Sequence, residues 1–269
     1  MPVQKIGFAG LGNMGQAILK GIILKNAIPA HNIAVLSRSE SGKICAKEAR
    51  VTVCSSTQEL AAFADIIILA VKPKDAIDLI RNLCPGIGGK ALLSIVAGLD
   101  YKTVNAAFWG AKTRTLIALP NTPVQAGEGI TGFTIETTFT DEEKDFVQKL
   151  FESVSSVEWI DEKSLPAFSA LSASAPAYAA IFTESLADGA VLEGLPRDTA
   201  YRIAAKMITG TGFLMTKTGS HPGILKDKIC SPGGTTIEGI AILEDGAFRA
   251  NIIKAMHACT EKFKRLNLQ

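Results

Sequence analysis

The first residues whose spacing could do chemistry form a glycine-rich hexapeptide near the start of the chain, Gly10-Leu11-Gly12-Asn13-Met14-Gly15. In a Gly-x-Gly-x-x-Gly pattern the first glycine permits a tight turn, the second lets the backbone approach a pyrophosphate and the third packs helix against strand. The hexapeptide follows a strand-like run and opens an apolar helix, whose N–H groups and dipole attract an anion. We therefore predict dinucleotide binding, and the alternative is a purely structural glycine turn.

A second group of polar residues ends the next predicted strand, at Ser37-Arg38-Ser39. An NAD-preferring protein presents a carboxylate to the ribose 2′-hydroxyl at this distance from the glycines. A guanidinium and two hydroxyls suit a 2′-phosphate dianion instead. NADPH is therefore favoured and NADH is possible but less favoured; the alternative is that Arg38 is an exposed loop residue and Glu40 supplies an acid.

Three further strand ends should contribute to the same cleft, because ligands of open α/β sheets bind beyond the carboxyl ends of the strands. The predicted contacts there are Ala70, Val71, Lys72, Pro73, Val96 and Ala97 for the cofactor and Asn121 for the substrate. Pro73 stiffens its loop. For Lys72 two interpretations stay open, a phosphate ligand or an exposed cation.

The C-terminal half contains two segments that differ from a plain helical core. Pro176 interrupts a helical pattern beside Ser174, which frees backbone carbonyls. Residues 231–236 read Ser-Pro-Gly-Gly-Thr-Thr before a new helix, so Ser231, Gly233, Gly234, Thr235 and Thr236 could hold a carboxylate with N–H groups and hydroxyls. The alternative is that this loop only begins the helix.

The elements that must position these groups fall into two parts. Up to about residue 160, β-branched runs at residues 5–9, 33–36, 66–71, 92–96, 115–119, 132–135 and 157–160 alternate with amphipathic segments. That alternation predicts an α/β Rossmann-type domain with a mostly parallel sheet over residues 1–160. Residues 161–269 read as an all-α domain for substrate binding and dimerisation.

The helical segment 165–192 is long, poor in charge and rich in small residues, so it should be buried nearly all round. A domain of this size lacks the surface to cover such a helix, and we predict a homodimer through the C-terminal helices. Self-burial within one chain is the alternative.

Bulk composition excludes several classes of partner. The net charge of +2 is spread along 269 residues, so neither nucleic acid nor an anionic membrane is indicated. Apolar runs such as residues 65–71 are far shorter than the roughly 20 residues of a membrane span, and the start lacks a leader pattern. Five cysteines without a Cys-x-x-Cys pair predict neither a disulfide framework nor a metal site. A cytoplasmic protein with a small-molecule partner is the expectation.

Taken in order, these motifs resemble the pyrroline-5-carboxylate reductase family. They are the glycine hexapeptide with Asn13 and Met14, Ala-Val-Lys-Pro, Pro-Asn-Thr-Pro, Ser-x-Ser-x-Pro-Ala-Tyr and Ser-Pro-Gly-Gly-Thr-Thr, covering residues 5 to about 265. The resemblance implies NADPH-dependent reduction of Δ1-pyrroline-5-carboxylate to L-proline, the last step of proline biosynthesis. It also implies a carboxylate held by residues 233–236, Thr236 near the ring nitrogen, and dimers that can assemble into a ring.

The chain departs from the family pattern at two sites. The family commonly has glycines where Ala173 and Ala175 stand, and an asparagine near the adenosine ribose where Thr57 stands. We expect a differently shaped pocket at the first site and keep Thr57 as a cofactor contact.

The implied reaction, hydride transfer to an imine carbon, does not require a strong general acid or base from the protein. A protonated imine already carries its electrophilic charge, so hydride transfer needs orientation and a water-poor cleft. We predict Ser174 and Thr236 as the catalytic residues, with Thr236 a positioner first because its pKa is high. Two rivals remain: a related reductase of another cyclic imine or short keto acid, and a non-catalytic dinucleotide sensor.

Overall fold

The computed structural model describes residues 4–266 and divides into two compact units, which are treated separately. One unit is Met1–Ala173 with Thr260–Gln269, and the other is Ser174–Cys259. The end of the last helix, from Thr260, belongs to the first unit. The domain boundary at residue 160 stays a prediction.

The first unit is built on an eight-stranded sheet of order β3-β2-β1-β4-β5-β6-β7-β8. The strands are β1 Ile6–Ala9, β2 Ile33–Leu36, β3 Thr52–Val53, β4 Ile66–Leu69, β5 Ala91–Ser94, β6 Arg114–Pro120, β7 Gly129–Thr134 and β8 Ser155–Ile160. Every pairing is parallel except that of β6 with β7. The predicted Rossmann-type class is confirmed, and only the two-residue exposed strand β3 was missed.

Helices connect the parallel strands on both faces of the sheet. They are α1 Asn13–Leu24, α2 Glu40–Glu48, α3 Thr57–Phe63, α4 Pro73–Leu83, α5 Tyr101–Ala106 and α6 Asp141–Glu152. After β8 come α7 Leu165–Ser169 and a π-helix at Ala170–Ser174. Strands β1 and β4 are buried along their whole length, as apolar strands covered by helices on both faces should be. Alternate residues face opposite cores, so Phe8 and Ile68 lie in one cluster and Ile67 and Leu69 in the other.

The second unit is helical, as predicted. It contains α8 Ala175–Leu192, α9 Arg197–Thr218, α10 Pro222–Ile229, α11 Thr235–Asp245 and most of α12 Phe248–Leu266. Its small buried cluster centres on Ala187, Ala200 and Ala204. Burial of α8 within one chain is therefore wrong: Ile181 is 62% and Leu192 85% exposed. The apolar side chains of this unit remain available for another surface.

The same region requires a correction to the expectation about apolar length. Among the described residues, the helical stretch Glu162–Leu192 is long and apolar enough to cross a membrane, with a hydropathy of 1.3. The expectation rested on short runs such as residues 65–71, and the segment 165–192 was interpreted as a helix buried against a partner. A single helix of this kind is weak evidence for a membrane span.

The entry to α6 carries a buried ion pair. Thr140 and Glu143 form a capping box at the start of α6. Arg114 donates hydrogen bonds from Nε and Nη2 to the Glu143 carboxylate at 2.6–3.0 Å. Burial by itself raises the pKa of the Glu143 carboxyl. The hydrogen bonds from Arg114 and Thr140 outweigh burial, so the pKa lies below its ordinary value.

Glu143→Gln is expected to lower the free energy of unfolding by about 2 kcal/mol at neutral pH, since it leaves Arg114 without its charged partner. A lowered carboxyl pKa stabilises the fold above the unfolded pKa of about 4.3, and the contribution is lost as pH falls through the folded pKa. Urea unfolding of both proteins at neutral pH and near pH 3 checks this. A difference that stays equal at the two pH values would contradict the assignment.

Candidate active site

An open cleft of about 580 Å³ lies at the carboxyl ends of β1, β2 and β4. Ten of the predicted cofactor residues line it: Gly10, Leu11, Gly12, Ser37, Arg38, Ser39, Thr57, Ala70, Val71 and Lys72. Eight further residues share the lining and were not predicted: Leu36, Ser55, Ser56, Lys74, Asp75, Asp78, Leu79 and Asn82. The unpredicted residues come mainly from the start of α3 and from one face of α4, which no motif marked.

The glycine loop has the backbone that a phosphate cradle needs. Gly10 adopts a φ of 86°, and a Cβ there would lie 2.2 Å from Val71 Cγ1. Gly12 is the N-cap of α1 and has no side-chain capping bond, so the N–H groups of the first turn are left for a ligand. A Cβ on Gly12 would meet only the Ala70 carbonyl oxygen, at 3.6 Å. The space over Gly12 is therefore kept open.

The remaining members of the hexapeptide lie just outside the cleft lining. Asn13 is exposed and Met14 half-buried at the first turn of α1, and Gly15 is buried behind the loop. A Cβ on Gly15 would lie 3.0 Å from Ala70 Cβ, so the glycine allows α1 to approach β4 closely. These residues shape the loop even where they do not face the cavity.

The segment after β2 combines a buried hydroxyl, a capping hydroxyl and an exposed guanidinium. Ser37 is buried, with its Oγ 3.2 Å from that of Ser39. Ser39 caps α2 by accepting a hydrogen bond from the Gly42 N–H. The Arg38 side chain is 85% exposed, and its Nη2 lies 3.0 Å from Asp75 Oδ1. Glu40, the acid considered from the sequence, is outside the lining, and the carboxylate beside Arg38 comes from α4.

The opposite rim is formed by the starts of α3 and α4. Thr57 Oγ1 donates a hydrogen bond of 3.0 Å to the Asn82 carbonyl oxygen, which ties the two helices together. Lys72 is the N-cap of α4, and Pro73 occupies the first helical position, where its missing N–H costs nothing. Lys72 is exposed at the cleft and Pro73 is exposed outside it. Two cations, Lys72 and Lys74, thus face the cavity from this rim.

The other predicted contacts at strand ends follow β5 and β6. Val96 is buried and Ala97 exposed after β5. Asn121 is buried after β6; its Nδ2 donates to the Ser172 carbonyl oxygen at 2.9 Å, and its Oδ1 accepts from the Ile130 N–H at 2.8 Å. Asn121 therefore joins the sheet to the π-helix, a role that the sequence did not indicate.

The Ser172 hydroxyl is buried and has no hydrogen-bond partner. Hydroxyls on α8 and α9 donate instead to the carbonyl four residues earlier, as at Thr183, Ser185, Thr209, Thr211, Thr216 and Thr218. Ser172 lies in the π-helix, where the ordinary helical spacing is broken. An unpaired buried hydroxyl beside the carboxyl end of β6 is available to a ligand.

Ser172→Ala is expected to leave the melting temperature unchanged or slightly raised, because an unsatisfied buried hydroxyl costs stability. Ser155→Ala is the matched control: Ser155 is buried, and its Oγ bonds both Thr131 Oγ1 and the Phe151 carbonyl. The control is expected to lose about 1–2 kcal/mol. Thermal unfolding of both variants checks this, and an equal loss in Ser172→Ala would show that its hydroxyl is paired.

The loop 231–236 lies in the second unit, at the start of α11. Gly233 has a φ of 66°, and the Gly234 N–H donates to the Ser231 carbonyl oxygen at 3.0 Å. A Cβ on Gly234 would lie 2.3 Å from Ser231 Oγ, so a side chain there would displace the Ser231 hydroxyl. Gly234 is the N-cap and provides no side-chain cap, which leaves the first N–H groups of α11 available.

The predicted catalytic hydroxyls also belong to the second unit. Thr235 and Thr236 begin α11 and are exposed, and Ser174 is half-buried before α8. The described chain supplies no hydrogen-bond partner for the hydroxyls of Thr235 and Thr236, so both can contact a ligand. The structure therefore places the predicted nucleotide-binding residues in the first unit and the predicted carboxylate-binding loop in the second.

The residues that line the cleft include no cysteine, and the buried Cys45 and Cys54 lie outside it. Burial raises the pKa of the Cys45 and Cys54 thiols above its ordinary value, which keeps both protonated at neutral pH. Within residues 4–266, no group of three His, Cys, Asp or Glu side chains could hold a metal ion.

Similarity to known proteins assigns the family. Residues 162–266 match a family model described as pyrroline-5-carboxylate reductase dimerisation, and residues 5–98 match one described as NADP oxidoreductase, coenzyme F420-dependent. Over 267 residues the chain is 39% identical to pyrroline-5-carboxylate reductase of Escherichia coli, covering 98% of each protein. The chain belongs to the pyrroline-5-carboxylate reductase family.

Solved structures of family members agree in fold. The Plasmodium falciparum pyrroline carboxylate reductase with NADP bound superposes with a TM-score of 0.88 at 33% identity, covering 99% of both chains. The Coxiella burnetii pyrroline-5-carboxylate reductase gives a TM-score of 0.91 at 28% identity, covering 98% of both chains. The resemblance drawn from the motifs is thereby confirmed.

Proposed function

We propose that this protein reduces Δ1-pyrroline-5-carboxylate to L-proline with NADPH, the last step of proline biosynthesis, by hydride transfer to the imine carbon. The observation that carries the proposal is the full-length similarity to a reductase of that name, 39% identical with 98% of both chains covered. Two helix starts without side-chain caps, at Gly12 and at Gly234, support it as the proposed sites for the coenzyme pyrophosphate and the substrate carboxylate.

NADPH is the proposed coenzyme, and NADH is the less favoured one. The pyrophosphate is assigned to the N–H groups at the start of α1, over the open space at Gly12. The 2′-phosphate is assigned to Arg38 with Ser37 and Ser39, all of which line the cleft. A family member from Plasmodium falciparum carries NADP in its structure, which supports this choice.

The substrate carboxylate is assigned to residues 233–236. The first-turn N–H groups of α11 lack an internal cap, and a helix N-terminus favours an anion. Thr236 is proposed to position the ring nitrogen through its hydroxyl, with Thr235 and Ser174 as the other polar pocket members. Asn121 contributes through its bond to Ser172 more than through direct contact, because its amide already bonds the Ser172 carbonyl and the Ile130 N–H.

The bound reduced nicotinamide supplies the hydride in this reaction. The protein's own residues orient the ring, hold its carboxylate and restrict water, and these effects suffice because the protonated imine is already electrophilic. Val96 and Ala97, beyond β5, are proposed to contact the nicotinamide half of the coenzyme.

The working form is proposed to be a cytoplasmic homodimer joined through the C-terminal helices, with a ring of dimers as a further assembly. Large apolar side chains exposed in the second unit, such as Ile181, Leu192 and Phe213, provide the surface. The family model matching residues 162–266 is described as a dimerisation region. Neither nucleic acid nor a membrane is a proposed partner.

A panel of cyclic imines tests the substrate assignment by following NADPH oxidation. The panel contains pyrroline-5-carboxylate, its six-membered homologue and a pyrroline without the carboxylate. We expect the highest kcat/KM with pyrroline-5-carboxylate and a loss of at least about 100-fold without the carboxylate, the anion that the loop is built to hold. Preference for another imine or a keto acid would favour the related-reductase rival. NADPH binding without turnover of any compound would favour the sensor.

A further inference from the structure

We propose that Asp75 sets the ratio of NADPH to NADH use, by competing with the coenzyme 2′-phosphate for Arg38 and by accepting a hydrogen bond from the 2′-hydroxyl of NADH. The proposal deepens the proposed function, since it concerns coenzyme choice at the same cleft. It assigns to α4 a role that the motifs did not indicate.

The segment after β2 contributes no carboxylate to the cleft lining, but Asp75 on α4 lies beside Arg38 of that segment. Arg38 and Asp75 are 37 positions apart, yet Nη2 and Oδ1 are 3.0 Å apart, and both residues line the cleft. Glu40, next to Ser39 in sequence, does not line the cleft. In NAD-binding proteins of this fold, a carboxylate at the second strand binds the 2′-hydroxyl. Here α4 supplies a carboxylate beside Arg38, the residue that follows the second strand.

Because the Arg38–Asp75 ion pair is exposed to solvent, a ligand anion can replace the Asp75 carboxylate on Arg38. The Arg38 side chain is 85% and the Asp75 side chain 33% exposed, and pairs of this kind hold only weakly in water. A phosphate dianion binds a guanidinium through charge-assisted, often bidentate hydrogen bonds, so it can displace the carboxylate. A phosphate on Arg38 would nevertheless lie close to the negative Asp75, and that repulsion weakens NADPH binding.

The two coenzymes therefore meet opposite effects at one side chain. The 2′-phosphate of NADPH has to displace Asp75 from Arg38 and is then repelled by the nearby carboxylate. The 2′-hydroxyl of NADH is neutral and can donate a hydrogen bond to Asp75. Lys72 and Lys74 add positive charge to the cleft for both coenzymes. Two carboxylates line the cleft, Asp75 and Asp78. Asp75 pairs with Arg38, whereas Asp78 pairs with Arg81 at 3.6 Å.

The test compares Asp75→Asn with Asp78→Asn, a matched control with the same charge change in the same cleft and helix. The dissociation constants of NADPH and NADH are measured by fluorescence titration without any imine. In Asp75→Asn the ratio of the NADH to the NADPH constant is expected to rise about 5- to 10-fold, and in Asp78→Asn to stay within about twofold. An unchanged or lower ratio in Asp75→Asn, or an equal rise in Asp78→Asn, would overturn the proposal.

Arg38→Asp separates this proposal from the assignment of the 2′-phosphate site. Removing the guanidinium is expected to abolish or reverse the preference for NADPH in the same titration. If the Arg38 variant keeps the original ratio, the 2′-phosphate assignment in the proposed function is wrong. If it loses the preference while Asp75→Asn changes nothing, only the role of Asp75 fails. Binding is measured without substrate, so neither result depends on which imine is reduced.

Discussion

Gly12→Ala is expected to leave the fold intact and to raise the Kd of NADPH about 10- to 100-fold. The added methyl group would meet only the Ala70 carbonyl oxygen, at an ordinary contact distance of 3.6 Å. It would instead occupy the space over the first turn of α1, to which the pyrophosphate is assigned in the proposed function. Fluorescence titration with NADPH, with far-ultraviolet circular dichroism as the folding check, measures both effects.

Gly10→Ala provides the contrasting control for this prediction. Its φ of 86° disfavours any side chain, and its Cβ would lie 2.2 Å from Val71 Cγ1. We expect this variant to lose about 2 kcal/mol of stability. Wild-type affinity for NADPH in a well-folded Gly12→Ala protein would contradict the pyrophosphate assignment.

Thr236→Val is expected to lower kcat/KM for pyrroline-5-carboxylate about 10- to 100-fold, with no change in the Kd of NADPH. Valine keeps the branched shape but lacks the hydroxyl, which has no partner within the described chain and is free for the ring nitrogen. The variant should fold normally, because Thr236 is exposed and provides no helix cap. Steady-state kinetics at saturating NADPH provides the measurement.

Thr235→Val is the neighbouring control, since both threonines begin α11 and are exposed. A smaller loss in Thr235→Val than in Thr236→Val would agree with the assignment of the nitrogen contact to Thr236. Equal kcat/KM in Thr236→Val and the unmodified protein would remove Thr236 from the site.

Most of the fold could be predicted from the sequence because its local signals agree with its tertiary structure. Continuous apolar runs predicted buried strands such as β1 and β4. Strand β3 was not predicted, because two exposed residues are too few to show a hydrophobic alternation. The reversed direction of β7 against β6 also carries no sequence pattern, since strand direction depends on how the intervening turn folds.

The cleft was only half predictable for a related reason. Gly10, Gly12 and Arg38 belong to short motifs in which each position has a known physical role in dinucleotide binding, so the sequence alone predicts them. Asp75 and Asn82 reach the cleft through the packing of α4, and nothing in their local sequence separates them from ordinary surface residues. Asn121 was singled out as a polar residue at a strand end, but its two hydrogen bonds depend on the π-helix and on β7. Such roles follow from tertiary contacts between distant segments.

The most direct test of the proposed reaction is isotope transfer from NADPH that carries deuterium at both C4 positions. The purified protein is incubated with this coenzyme and pyrroline-5-carboxylate, and the product is examined by mass spectrometry. Hydride transfer to the imine carbon predicts L-proline with one deuterium, located at C5. Proline without deuterium, or the absence of proline while NADPH remains bound, would contradict the proposed function.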